Sequence, residues 1–208
     1  MQTRHVATTV HGRFLYEPRD PSRMLMGFHG YGENASIHME ELQKIAGIDD
    51  WSLVAVQALH PFYSRTQGIA ASWMTVQDRE YHIDDNIDYV RRVAGSLPRP
   101  ETLVFLGFSQ GVAMAYRAAA DFAWRCHGLI ILGGDIAPDV EEREDLQLPP
   151  VLLARGKRDE WYSDEKFKED LKFLKRAARV ETLVFEGSHE WTTEFREAAG
   201  NFLRRIRD

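Results

Sequence analysis

The chain has 208 residues, with 26 Lys+Arg against 32 Asp+Glu and a formal net charge of −6. This acidic balance argues against a nucleic-acid partner, which normally meets a basic face. Hydrophobic residues at 44% and charged residues at 28% sit near the globular average, so the chain can bury a sizeable core and disorder is excluded for most of its length.

The opening residues Met1-Gln2-Thr3-Arg4-His5 show no basic region followed by an apolar stretch, so no signal peptide is read and a cytoplasmic location is expected. His5 to about Tyr16 alternates weakly and suggests an antiparallel edge hairpin. Beyond it, short apolar runs mark strands at Met24 to His29, Ser52 to Gln57, Thr102 to Phe108, Gly128 to Leu132, Val151 to Ala154 and Val180 to Phe185. Several are apolar nearly throughout, as strands covered on both faces are. The stretch from His60 to Gln77 has no clear period and reads as a long loop carrying Phe62, Tyr63, Trp73 and Met74. Such loops are often binding walls. Ile83, Ile87, Val90 and Ala94 fall at i, i+4, i+7 and i+11, and Phe167, Leu171, Leu174 and Ala178 repeat that spacing. Each set forms one apolar helix stripe. An alanine-rich helix is expected from Val112 to Phe122, Ser163 before Asp164 and Glu165 starts the helix of Phe167, and Trp191, Phe195, Ala199, Phe202 and Ile206 line the last.

Strands alternating with helices predict an α/β fold, a mostly parallel central sheet with helices on both faces. Pro98-Arg99-Pro100 and Pro149-Pro150 each end an element rather than link domains, so residues 1–208 are expected to form one domain. The longest uncharged run, Thr102 to Tyr116, is interrupted by Ser109, Gln110 and two glycines. It falls short of the roughly 20 apolar residues of a membrane span, so no stable membrane insertion is expected. Cys126, the only cysteine, reads as a small core residue.

Gly107-Phe108-Ser109-Gln110-Gly111 fits G-x-S-x-G. A strand runs directly into it and a helix directly out, and a sharp strand-to-helix turn needs small residues beside a serine held in a strained conformation. A serine hydroxyl is barely ionised at neutral pH and needs a base, itself oriented by a third group. Asp159 follows one later strand and His189 follows the last, both just past carboxyl ends of strands and on the edge that carries Ser109. The negative charge formed during acyl transfer is best met by backbone N–H groups. His29-Gly30-Tyr31-Gly32 ends the first parallel strand, so the donors are expected at the N–H of Tyr31 and of Gln110, whose side chains stay free for other work. No histidine pair has zinc-site spacing, so neither a metal nor another cofactor is expected. His29 reads as a buttress of the donor loop rather than a zinc ligand.

The chain resembles the phospholipase/carboxylesterase group of the α/β-hydrolase superfamily, which includes acyl-protein thioesterases, lysophospholipases and small bacterial carboxylesterases. The resemblance rests on His29-Gly30-Tyr31-Gly32-Glu33, Gly107 to Gly111, Gly156 to Asp159, Gly187 to His189 and the Trp-containing stretch Ser72-Trp73-Met74. It implies an α/β-hydrolase fold and a triad of Ser109, Asp159 and His189. Val112 stands where the group usually has glycine, Ser188 separates a usually adjacent Gly and His, and Tyr31 replaces an aliphatic residue.

The expected activity is hydrolysis of small carboxylic esters or thioesters with short to medium acyl chains, since no inserted segment is long enough to form a lid. His29, Gly30, Phe62, Tyr63, Trp73 and Met74 are the candidate substrate contacts. Glu160 and Asp135 rival Asp159 as the orienting acid, Asp135 because it follows Gly133-Gly134 at another strand end. A non-catalytic ligand binder on the same scaffold and an amidase or peptidase with the same triad are the alternatives. A homo-oligomer is compatible with the sequence.

Overall fold

In the computed structural model, which describes residues 1–65, 68–121 and 123–207, the apolar runs become strands. They are β1 (Phe14–Glu17), β2 (Arg23–Phe28), β3 (Ser52–Val56), β4 (His60–Ser64), β5 (Gly68–Ser72), β6 (Thr102–Phe108), β7 (Gly128–Leu132), β8 (Val151–Gly156) and β9 (Val180–Phe185). Seven of them form one sheet in the order β1-β3-β2-β6-β7-β8-β9, and β4 and β5 form a separate antiparallel pair. Within the large sheet only β1 runs antiparallel, against β3. The helices are α1 (Ala35–Gln43), α2 (Arg79–Gly95), α3 (Gln110–Asp121), α4 (Pro138–Glu141), α5 (Asp164–Ala177) and α6 (Thr193–Arg207). Phe122, the expected end of the third, lies outside the described residues.

Alternate residues of each inner strand go to opposite faces. Met24, Met26, Leu103, Phe105, Leu129 and Ile131 pack with Val90 of α2, Met114 of α3 and Phe167 and Leu174 of α5. Leu25, Val104, Leu106, Ile130 and Leu132 pack with Leu42 of α1 and Phe195, Ala199 and Phe202 of α6. Burying each such side chain contributes about 1.5–3 kcal/mol, enough to fix helices whose outer faces are solvated. Ser163 caps α5 by accepting from the Lys166 N–H, as its position before Asp164 and Glu165 implied. Ala178 and Trp191, taken as helical, fall just outside α5 and α6.

Two expectations are corrected. Residues before Phe14 form no strand; the antiparallel edge is β1 paired with β3, and the preceding chain is fastened instead by His5 on Asp78 at 2.9 Å. Its larger apolar residues, Val6 and Val10, remain 89% and 58% exposed, so the segment buries no apolar face. The long loop after His60 contains the β4/β5 hairpin, whose half-buried alternation is interrupted in sequence by Pro61. Cys126 is half-buried against the core, and burial pushes its thiol up to about 12.

Candidate active site

The loops after β2 and β7 press on Ser109, since a Cβ on Gly30 would lie 3.3 Å from the Ser109 Cβ and one on Gly134 2.6 Å from its carbonyl oxygen, and the loops after β8 and β9 carry Asp159 and His189. Ser109 closes β6 with φ +51° and leads directly into α3, a left-handed conformation that costs a non-glycine residue about 1 kcal/mol or more. Its glycine neighbours are demanded by packing. A Cβ on Gly107 would lie 2.6 Å from the Val112 Cα, and one on Gly111 would lie 2.0 Å from the Phe28 carbonyl oxygen. Val112 itself is fully buried, and Gly134 makes room for it, since a Cβ there would lie 2.7 Å from the Val112 Cβ.

His189 donates from Nδ1 to Asp159 Oδ2 at 2.8 Å, and its ring lies 5.0 Å from that of Phe108, the residue before Ser109. Asp159 Oδ1 accepts the backbone N–H groups of Trp161 and Tyr162, each at 2.9 Å. Burial by itself would raise the Asp159 carboxyl, but these hydrogen bonds, that from His189 first, hold it below its ordinary value. It is therefore an anion facing the imidazole. Gly133, at φ +63°, leaves room for the pair: a Cβ there would lie 3.1 Å from the His189 ring and 3.2 Å from Asp159 Oδ2. Asp135, the rival acid, is exposed and 3.9 Å from Lys166, and Glu160 is exposed. Neither meets His189.

The loop after β2 is built to hold backbone groups still. The Gly32 N–H donates to Ala71 and the Ala71 N–H donates back to Glu33, so β5 clamps the loop. His29 is fully buried, accepts the Ala58 N–H at Nε2 and donates from Nδ1 to the Gly30 carbonyl at 2.7 Å. Burial holds its imidazole down at about 4, so it stays neutral. The Gly30 N–H donates to Glu33, whose half-buried carboxyl is raised by desolvation. Among the described residues the N–H groups of Tyr31 and Gln110 meet no protein acceptor.

Gln110 is not free in its side chain, contrary to the sequence expectation. Its Oε1 accepts the Trp73 N–H at 2.9 Å and its Nε2 donates to the Met74 carbonyl at 3.0 Å, tying the elbow to the chain after β5. Of the candidate contacts, His29 and Trp73 are fully buried and Gly30 is buried, so none of the three offers a surface to a substrate. Trp73 instead donates its indole N–H to the His29 carbonyl. Phe62 stacks on Tyr31 at 5.6 Å, while Tyr63 points outward with 88% exposure. Met74 does share a groove with Ser109: an open groove of about 290 Å³ is lined by Met74, Thr75, Val76, Arg79, Ser109, Gln110, Ala113 and Asp135. Thr75, Val76, Arg79 and Ala113 were missed because neither periodicity nor motif distinguishes them. Among the described residues no group of three or more His, Cys, Asp or Glu is placed to hold a metal ion.

The family model for phospholipase/carboxylesterase matches residues 14–206. The chain belongs to that family. In this member of the phospholipase/carboxylesterase family, the solved structures of similar fold share little sequence. Zea mays acyl-protein thioesterase 2 aligns with a TM-score of 0.73 at 16% identity, covering 95% of this chain and 100% of that one. The phospholipase/carboxylesterase from Dyadobacter fermentans gives 0.69 at 22% identity over 98% and 100%. The Bacillus cereus carboxylesterase gives 0.68 at 15% identity over 94% of each. No curated protein gives a significant match. The family's usual adjacent Gly and His are separated here by Ser188, which the fold accommodates at the surface: its N–H and hydroxyl both donate to Glu190.

Proposed function

We propose that this chain hydrolyses carboxylic esters or thioesters of short to medium acyl chains through an acyl-enzyme on Ser109. The observation that carries the reading is the His189 to Asp159 hydrogen bond, with the imidazole lying at a tilt 5.0 Å from the ring of Phe108, the residue preceding Ser109. In this reading neutral His189 takes the Ser109 proton as the hydroxyl attacks the acyl carbon, and then returns it to the leaving alcohol or thiol. Asp159 fixes the tautomer that leaves Nε2 free, and stabilises the imidazolium that forms. The developing oxyanion is met by the N–H groups of Tyr31 and Gln110, which have no protein acceptor among the described residues. Water then attacks the acyl-enzyme with His189 again as base.

The test is labelling by a fluorophosphonate together with turnover of 4-nitrophenyl butyrate. Ser109→Ala deletes one oxygen at a half-buried turn and is expected to abolish both while leaving the melting temperature within a few degrees. Labelling or turnover surviving in that variant overturns the assignment. Ligand binding without turnover in the wild type would favour a non-catalytic binder, and matched ester and anilide substrates separate an esterase from an amidase.

A further inference from the structure

The groove beside Ser109 is unevenly furnished. Met74, Val76 and Ala113 give it apolar wall, and Arg79 and Asp135 are its two charged residues. Asp135 has a counter-charge in Lys166 at 3.9 Å. Arg79 forms no ion pair among the described residues, and its own helix places His82 and Ile83, not carboxylates, at the i+3 and i+4 positions. Asp78, its neighbour in sequence, is already engaged by His5 at 2.9 Å and Gln77 at 3.2 Å. An arginine that lines a groove opening onto a nucleophile, and whose guanidinium makes no ion pair among the described residues, offers a receptor for an anionic group.

We infer that this enzyme's preferred substrates are short esters that carry a carboxylate or phosphate, held by Arg79 while the ester carbonyl lies at Ser109. The inference rests on the serine hydrolase reading above. It adds the chemistry of the substrate's far end. The groove's volume of about 290 Å³ is room for about ten water-sized groups at roughly 30 Å³ each. A four- or five-carbon acyl group with a terminal anion fits that space, and its methylenes would lie along Met74, Val76 and Ala113. Arg79 is exposed, so its attraction is screened and reads as a preference rather than an absolute requirement.

Three 4-nitrophenyl esters of matched length test this: a neutral pentanoate, the hemiester of glutarate, and a 4-phosphono-oxybutanoate. In the wild type, kcat/KM for one or both charged esters is expected to exceed that for the neutral ester by about fivefold, equivalent to ~1 kcal/mol. The excess should shrink in 1 M salt. Whichever charged ester shows it identifies carboxylate or phosphate as the partner. Arg79→Gln is expected to collapse the charged-to-neutral ratio to about one, Arg79→Lys to keep part of it, and Arg99→Gln, at the opposite end of β6, to keep all of it. A ratio unchanged in Arg79→Gln, or a wild-type preference for the neutral ester, overturns the inference while Ser109 chemistry stands. No turnover of any ester, together with no fluorophosphonate labelling of Ser109, overturns the hydrolase reading itself.

Discussion

A Cβ on Gly156 would lie 2.0 Å from the carbonyl oxygen of Ser188. That approach joins the loop after β8 to the loop after β9, and it is reinforced by the Lys157 N–H on Phe185 and the Arg158 N–H on Gly187. Asp159 belongs to the first loop and His189 to the second, so the glycine sets the separation across which their hydrogen bond forms. Gly156→Ala is expected to push the loops apart, lowering kcat on a neutral ester by 10-fold or more. The protein should also lose about 1–3 kcal/mol of stability, as overpacked sites do. Urea unfolding and steady-state kinetics on the same preparation check this, and an unchanged kcat in a stably folded variant would show that the loop spacing does not govern the pair.

The choice between acids is a second test. Asp159→Asn would offer an amide to His189 Nδ1, favouring the wrong imidazole tautomer, and kcat is expected to fall on the order of 10⁴-fold, as in other triads. Asp135→Asn, at an exposed carboxylate 3.9 Å from Lys166, should cost less than tenfold. The reverse order would move the orienting role to Asp135.

Stability should fall in acid because two imidazoles are buried uncharged. Burial holds His29 down at about 4 and His38 well below its ordinary value, while in the unfolded chain both return to about 6.5. The unfolded state therefore binds more protons below pH 6.5, and stability declines as pH falls from there toward 4. The slope is at most about 1.4 kcal/mol per pH unit for each histidine. Asp170 acts in the opposite direction: burial raises its carboxyl to about 6 even though it accepts the Tyr162 hydroxyl at 2.7 Å, so its contribution is lost as pH rises from about 4 through 6. Urea denaturation from pH 4 to 8 is expected to show the histidine loss dominating, with His29→Gln flattening the acid limb. A wild-type profile flat across that interval would mean these imidazoles are accessible to protons in the folded state.

The inner strands were legible because they are buried on both faces and read as apolar runs, and the edge strand β9 was legible, despite Glu181 and Thr182, from its valines, leucine and phenylalanine. Thr102 to Phe108, Gly128 to Leu132 and Val180 to Phe185 match the observed strands residue for residue. The residues of the elbow and of the two later loops were legible because tight turns force glycine at fixed offsets, as the contacts of Gly107, Gly111 and Gly156 show. Helix α1 was not read, although Asn34 caps it by accepting from Ser36 and Ile37, because its apolar face is short and broken by the buried His38. Trp73 was misplaced for a different reason. An aromatic in a loop before a helix can line a site or fill the core, and only the partner of its indole N–H, the His29 carbonyl, distinguishes the two.

The shape of the groove sets an upper limit on acyl length. It is open, holds about 290 Å³ and has Val76 95% exposed on its wall, so only the first few carbons can leave water on all sides. Each methylene that is fully buried gains about 0.8 kcal/mol, roughly a fourfold rise in kcat/KM, and one that remains in solvent gains nothing. Efficiency on neutral 4-nitrophenyl esters is therefore expected to climb from acetate to about butyrate or hexanoate and then level off, with no jump at the micellar threshold. The stacked pair Tyr31 and Phe62 stands on the loop and hairpin outside this groove and would add carbons only by moving toward Ser109. A kcat/KM series that keeps rising to dodecanoate would show that such a movement encloses longer chains, and truncation of Phe62 to alanine would then remove the rise while sparing acetate.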